Sequence, residues 1–336
     1  MTDDPQIGTA YGPEQVLKNA GATIEHYRPN GQKVPETEGF KVYRIGDFLS
    51  LDLPDVDYVL DPIIPAKGLV MLCAQRGVGK THVALGIAYA VAAGGSFLRW
   101  TAPKPRKVLI VDGEMPARLL QDRLKSLSAG GSSDAVNLDE NLRLLPMDCQ
   151  AIGTTLNLAN STHQKELDRH LDGVELLVID NLSTLVNDGR ENEAESWDKM
   201  QEWMLQLRRR GISVLIIHHA GRNENPRGTS KREDVLDTVI QLKRPPDYNN
   251  HQGARFEVHL TKARGVFGEE ARPFEAQLET PDGVAVWTNS EVKDVDAELV
   301  KDLTGDDHSV REIAEKTGIS KSKVSRIQQQ LRLDQL

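Results

Sequence analysis

An α/β protein with a mostly parallel sheet and a small all-helical end is predicted by three features of this 336-residue chain. Short runs of Val, Leu and Ile alternate with stretches of helical period. A glycine-rich loop stands between one such run and one such stretch. The last residues form short helices whose charge opposes that of the remainder.

The apolar runs are "GLVMLCA" (68 to 74), "KVLIVDG" (107 to 113), "NLRLLP" (141 to 146), "ELLVID" (175 to 180), "SVLIIHH" (213 to 219), "DTVIQLK" (237 to 243) and "FEVHLTK" (256 to 262). Runs of four to six such residues, apolar on both faces, are strands of a sheet covered on both sides. Between them "THVALGIAYAVAAG", "ARLLQDRLKSL" and "ESWDKMQEWMLQLRRRG" carry the 3.6 period of crossover helices, the last ended by Gly211. Strand, helix and strand repeated in this way give a doubly wound core. The later runs alternate more and are separated by short turns, so the sheet is expected to finish antiparallel. Residues 1–45 are polar, with Gly and Pro scattered through "YGPEQ", "YRPNGQ" and "VPETEG", and read as an arm. The domains expected are this arm, an α/β domain over 46–290 and a helical module over 296–336.

Composition narrows the class. An apolar content of 39% suffices for a core without staples, and the two cysteines, Cys73 and Cys149, lie far apart with no CxxC, so neither a disulfide framework nor a zinc site is expected. The opening "MTDDPQIGTA" has acids where a secretory leader has bases, and no eighteen apolar residues run together. A cytoplasmic protein with no membrane partner is expected. The net charge is −9, yet residues 308–336 hold six bases against three acids, +3, leaving −12 for the rest. A basic module on an acidic body makes nucleic acid a candidate partner of the tail.

The loop "AQRGVGKT" has Walker A spacing, with Ala74 in place of the first glycine and then Gln75, Arg76, Gly77, Val78, Gly79, Lys80 and Thr81; His82 follows on the helix. Glycines let successive amide N–H groups turn inward around a polyphosphate, and the helix N-terminus adds its dipole. Lys80 reaches the β and γ phosphates, and the Thr81 hydroxyl binds magnesium. The expected ligands are therefore ATP and Mg2+. Asp180, closing the buried run "ELLVID", is the second magnesium ligand. In "KVLIVDGEMP" Glu114, just past the strand end, is the candidate general base, and Asp112, still on the strand, a supporting carboxylate. Two histidines end "SVLIIHH", and since neighbours on a strand point to opposite faces, one of His218 and His219 can face the nucleotide as a phosphate sensor. His219 is preferred.

"GLVMLCAQRGVGKT", "VLIVDGEMP", "LLVIDNLSTLVNDGRENEAESW", "LIIHHAGRNENPRGTSKREDVLDTVIQL" and "LTKARGVFGEE" stand in the order found in RecA-like ATPases. The set most resembles the RepA-type plasmid replicative helicases, relatives of the DnaB-like hexameric helicases, over about residues 55–275. The resemblance implies a RecA-like P-loop NTPase core and a homo-oligomer, a hexamer. Glu114 is then the catalytic glutamate, and Lys262 and Arg264 in "TKARG" become a basic finger entering the neighbouring subunit's nucleotide. Two cations at i and i+2 of a strand project from one face and can stabilise charge on a transferring phosphoryl group. It also places the polar loop 221–234, with Arg222, Arg227, Lys231 and Arg232, facing a central channel that holds single-stranded DNA.

"SVREIAEKTGISKSKVSRIQQQL" has the form of a helix-turn-helix beyond that resemblance. Ser309 caps one helix, Gly318 makes the turn, Ser320 caps the next, and Val324 and Ile327 face inward. Lys321, Ser322, Lys323, Ser325 and Arg326 are expected outward, able to meet duplex DNA. The resulting expectation is an ATP-hydrolysing DNA helicase or translocase of a plasmid, phage or mobile element. The alternative is a DNA-binding ATPase switch that regulates replication, recombination or transcription without unwinding. A P-loop small-molecule kinase lacks a lid in this sequence and leaves "TKARG" and the tail unexplained.

Overall fold

The computed structural model describes residues 40–53, 55–130, 138–186, 193–220, 233–292, 295–306 and 308–333. The expected arm falls almost wholly outside them, as do Arg222, Arg227, Lys231 and Arg232 of the polar loop. The chain divides into two compact units at Val56 and Asp57. In the first, the described part holds one short helix, Ile45–Leu49, with Phe48 packed edge-on against Tyr43 at 6.2 Å between ring centroids.

The second unit is built on a sheet of nine strands among the described residues. They are β1 (Leu69–Ala74), β2 (Val108–Asp112), β3 (Leu142–Pro146), β4 (Leu176–Asp180), β5 (Ser213–His219), β6 (Thr238–Lys243), β7 (Ala254–Ala263), β8 (Phe274–Glu279) and β9 (Val286–Glu291). Across the sheet the order is β9-β8-β7-β6-β1-β5-β4-β2-β3. The six strands from β6 to β3 are parallel, and β7, β8 and β9 are added antiparallel. The seven apolar runs are seven of these strands. β1, β2 and β4 are buried at every residue, as strands covered on both faces must be. This is the mostly parallel α/β core expected from the sequence, with β5 inserted between the strand that leads into the glycine loop and the strand that ends in Asp180.

Three helices follow the predicted periods, α1 (Lys80–Ala93), α2 (Ala117–Gly130) and α5 (Glu193–Arg209), whereas the short α3 (Ser161–Asp168) and α4 (Leu182–Leu185) were not read from the sequence. One apolar layer joins α1 to the sheet through Val83, Ile87, Val91, Leu72, Ile110, Val178 and Ile217. The other joins α5 to the opposite face through Trp197, Met200, Met204, Leu207, Met71, Ile179 and Ile216. Successive strand residues divide between the layers, Val70 and Leu72 to the first, Leu69 and Met71 to the second. Burial of one leucine-sized side chain contributes about 1.5–3 kcal/mol, so two such layers hold the strand ends, and the acids on them, in fixed register.

At the C-terminal end, α6 (Val295–Gly305), α7 (Val310–Thr317) and α8 (Lys321–Leu333) enclose Val300, Ile313, Ile319, Val324 and Ile327. Ser309 and Glu312 form a reciprocal capping box at the start of α7. Gly318 closes α7 with φ 74°, a left-handed conformation that a residue with a Cβ takes at a cost. Among the described residues no helix is long and apolar enough to cross a membrane.

Candidate active site

Parallel strands deliver their C-terminal ends to one edge of the sheet, and five of the predicted residues meet there. Ala74 is the last residue of β1 and pairs with His219, the last of β5. Its buried, ordinary strand position explains why alanine serves where a Walker A loop begins with glycine. The loop after it needs its glycines: Gly77 has φ 76° and Gly79 φ 127°, and a Cβ on Gly79 would stand 3.1 Å from the Phe256 ring. Val78 is buried, whereas Gln75 and Arg76 are exposed. The Lys80 ammonium donates to the carbonyl oxygens of Ala74 at 3.0 Å and Gln75 at 2.9 Å, so it is held across its own loop. Burial brings its pKa down to about 8, against the opposing pull of Asp180 and Glu114. His82 lies on α1 with its pKa brought down to about 4 by burial and by Arg123 of α2.

Asp180 and Asp112 are paired residues of β4 and β2, 4% and 2% exposed. Asp112 Oδ1 accepts the Met115 N–H at 2.9 Å, a fixed structural role that agrees with its reading as a supporting carboxylate. Asp180 accepts the Thr81 hydroxyl, but its burial and the Asp112 and Glu114 charges push its pKa up to about 6. A buried carboxylate beside a hydroxyl presents the hard oxygen donors that magnesium prefers. Thr81 and Asp180 fit that ion.

Glu114 stands just past β2, its side chain half exposed, where Gly113 lets the turn pass against α4. A Cβ on Gly113 would fall 2.7 Å from Leu185 and 2.8 Å from the Thr184 hydroxyl. His219 is the histidine beside Glu114: its Nε2 is 3.4 Å from Glu114 Oε2, and burial, then the Lys80 charge, lower its pKa. His218 is buried at 7% exposure.

Two residues at this edge were missed from the sequence. Asn181, directly after Asp180, donates from Nδ2 to Glu114 Oε2 and lies 3.1 Å from His219 Nε2. Its signal was present, since an Asn before "LSTL" is a helix cap, and its oxygen does cap α4. Arg244, at the end of β6, donates to the Gly77 carbonyl at 2.8 Å and stacks over Tyr248 at 3.6 Å; nothing in the sequence marks it.

Lys262 and Arg264 are brought together by a shared partner, the backbone carbonyl of Asp234, which accepts from both at 3.3 and 3.1 Å. Lys262 also donates to the Glu233 carbonyl, and Arg264 pairs with Asp237 at 3.3 Å. Their bonded partners within the chain are thus residues just before β6, not the cluster around Lys80. In the C-terminal helices Lys321, Ser322, Ser325 and Arg326 lie outward as expected, but Lys323 does not stand free. It is partly covered and ion-paired to Asp296 at 2.5 Å, which ties α8 to α6.

The AAA domain family matches residues 35–225, which is 191 of the 336 residues. No curated protein matches. Among solved structures the chain is similar to a KaiC-like protein from the hyperthermophilic archaeon Pyrococcus horikoshii OT3, at 16% identity and a TM-score of 0.48. That similarity covers 68% of this chain and 93% of the other.

Proposed function

The chain belongs to the AAA domain family, and from that premise we propose that it hydrolyses ATP as a self-associating DNA helicase or translocase of RepA type. The observation that carries the reading is the convergence of Lys80, Thr81, Asp180, Glu114 and His219 on one sheet edge beside a glycine loop. Loop amides and the start of α1 hold the triphosphate, and Lys80, released from its loop carbonyls, pairs with phosphate oxygens. Thr81 and Asp180 would hold magnesium, which would supply positive charge beside the phosphates when bound. Glu114 orients a water and takes its proton, and neutral His219 hydrogen-bonds the γ phosphate and reports its departure.

The pocket is completed in the assembly. Lys262 and Arg264 act on the nucleotide of the neighbouring copy in a hexamer, which requires them to leave the carbonyls of Glu233 and Asp234. The loop carrying Arg222, Arg227, Lys231 and Arg232 tracks single-stranded DNA in the channel through phosphate contacts. The three terminal helices act as a helix-turn-helix, with Lys321, Ser322 and Arg326 toward duplex DNA.

Turnover and strand separation by the purified full chain test this reading. Single-stranded DNA is expected to raise ATP turnover, a forked duplex to be unwound, and Lys80→Ala to abolish both. Specific duplex binding through residues 308–336 without unwinding would replace it with the switch reading, in which nucleotide controls assembly on DNA.

A further inference from the structure

The side chain of Asn181 is committed on every atom that can hydrogen-bond. Its Oδ1 accepts the N–H groups of Ser183 at 2.9 Å and Thr184 at 3.2 Å, which fixes the amide plane against the start of α4. Its backbone carbonyl accepts the Thr184 hydroxyl at 3.1 Å. An amide nitrogen offers two hydrogens. One goes to Glu114 Oε2 and the other is directed at His219 Nε2, 3.1 Å away. Asn181 itself is 1% exposed.

The residues it joins come from the ends of different strands, and they also approach each other directly, His219 Nε2 lying 3.4 Å from Glu114 Oε2. Glu114 is a long side chain, 52% exposed, just past the end of β2, and unheld it would exchange rotamers in solvent. His219 ends β5. The turn bearing Glu114 is itself pinned to the same place, since Gly113 donates to the Asp180 carbonyl at 2.7 Å and has room only for a hydrogen beside Leu185 and Thr184. A side chain anchored at one end on backbone and holding two groups at the other cannot release one without changing its grip on the second.

The geometry points to Asn181 as a positioning residue that sets Glu114 and His219 in one arrangement, so that the base and the phosphate sensor work as a unit. When the γ phosphate draws His219 toward itself, the freed amide hydrogen leaves Asn181 bound to Glu114 alone, and the carboxylate is placed for the attacking water. This rests on the roles proposed above for Glu114 and His219.

A double-mutant cycle on ATP turnover by the full chain tests it, with nucleotide affinity measured alongside by a fluorescent ATP analogue. Asn181→Ser keeps an oxygen for capping α4 and removes the amide donor. It is expected to lower kcat about ten- to hundredfold, with the nucleotide Kd changed by no more than about twofold. His219→Ala is expected to lower kcat similarly, and the double variant to fall no further than the worse single one, because the two residues act together. Losses that multiply, or wild-type kcat in Asn181→Ser, would reduce Asn181 to a helix cap and overturn the inference. Asn181→Asp keeps the cap and the shape, and carries the same cycle should the serine variant fail to fold. Glu114→Gln separates the two levels. If it turns over normally, the reading of the base fails; if it is inactive while binding nucleotide and the cycle is multiplicative, only the role of Asn181 fails.

Discussion

Asp112 and Asp180 stand side by side, paired in register at the C-terminal ends of β2 and β4, both buried. Burial first, then the Asp112 and Glu114 charges, push the Asp180 pKa up to about 6 against 3.8, and burial raises that of Asp112 as well. The fold therefore holds the Asp180 proton more tightly than the unfolded chain does. That contribution to stability is complete below pH 4 and is lost as pH rises through 6. At 1.36 kcal/mol per pH unit, the loss is on the order of 2–3 kcal/mol. Asp180→Asn is expected to raise the melting temperature of the nucleotide-free protein by several degrees at pH 7.5 and by much less at pH 5, while abolishing magnesium-dependent turnover. Thermal melts of both proteins across this range check it, and a melting difference that does not vary with pH would contradict it.

Lys80 supplies a second expectation. Its ammonium donates to the carbonyl oxygens of Ala74 and Gln75 rather than to a carboxylate, so truncation removes a cation that only tempers the Asp180 charge at a distance. Lys80→Ala is expected to melt within a few degrees of the parent and to bind ATP at least about tenfold more weakly, as the loss of a charge-assisted phosphate contact implies. Calorimetric titration with Mg-ATP reads both the affinity and the integrity of the protein.

Most of the core was legible in the sequence because burial on both faces leaves a period that can be read without partners. All seven apolar runs became strands, and the acid and histidine positions at their ends followed from register. β8 and β9 were not named as strands, because β8 alternates and β9 is largely exposed, with one of its six residues even half covered. The choice between His218 and His219 also needed the structure, since alternation gives opposite faces but not which face holds Glu114. Arg244 and Lys323 depended on contacts distant in sequence, with Gly77 and with Asp296, that no local pattern announces.

The basic finger makes a prediction about mixtures. Lys262→Ala or Arg264→Ala is expected to retain ATP binding and lose turnover by about 10³-fold or more, the scale of a trans-acting arginine. Each variant's nucleotide loop and Glu114 stay intact, and Glu114→Gln keeps an intact finger. Mixing either finger variant with Glu114→Gln should therefore restore turnover at those interfaces where both parts are sound. Steady-state ATPase assays across mixing ratios check this, and no recovery at any ratio would remove the finger from its proposed place.

The tail separates positioning from DNA contact. Arg326→Ala and Lys321→Ala leave the packing of α8 untouched and are expected to weaken duplex binding and lower its salt dependence by about one counterion each. Lys323→Ala breaks the tie to Asp296, and its first effect is expected on the thermal stability of the terminal helices, with a smaller change in salt slope. Fluorescence anisotropy with labelled duplex at several salt concentrations, beside melting followed by circular dichroism, distinguishes them.

The most direct measurement is ATP turnover per chain as protein concentration is raised through the range where mass increases. A lone protomer is expected to bind Mg-ATP but barely hydrolyse it, and turnover per chain to climb together with the fraction of chains in oligomers. Full turnover by a species whose measured mass is that of one chain would contradict it.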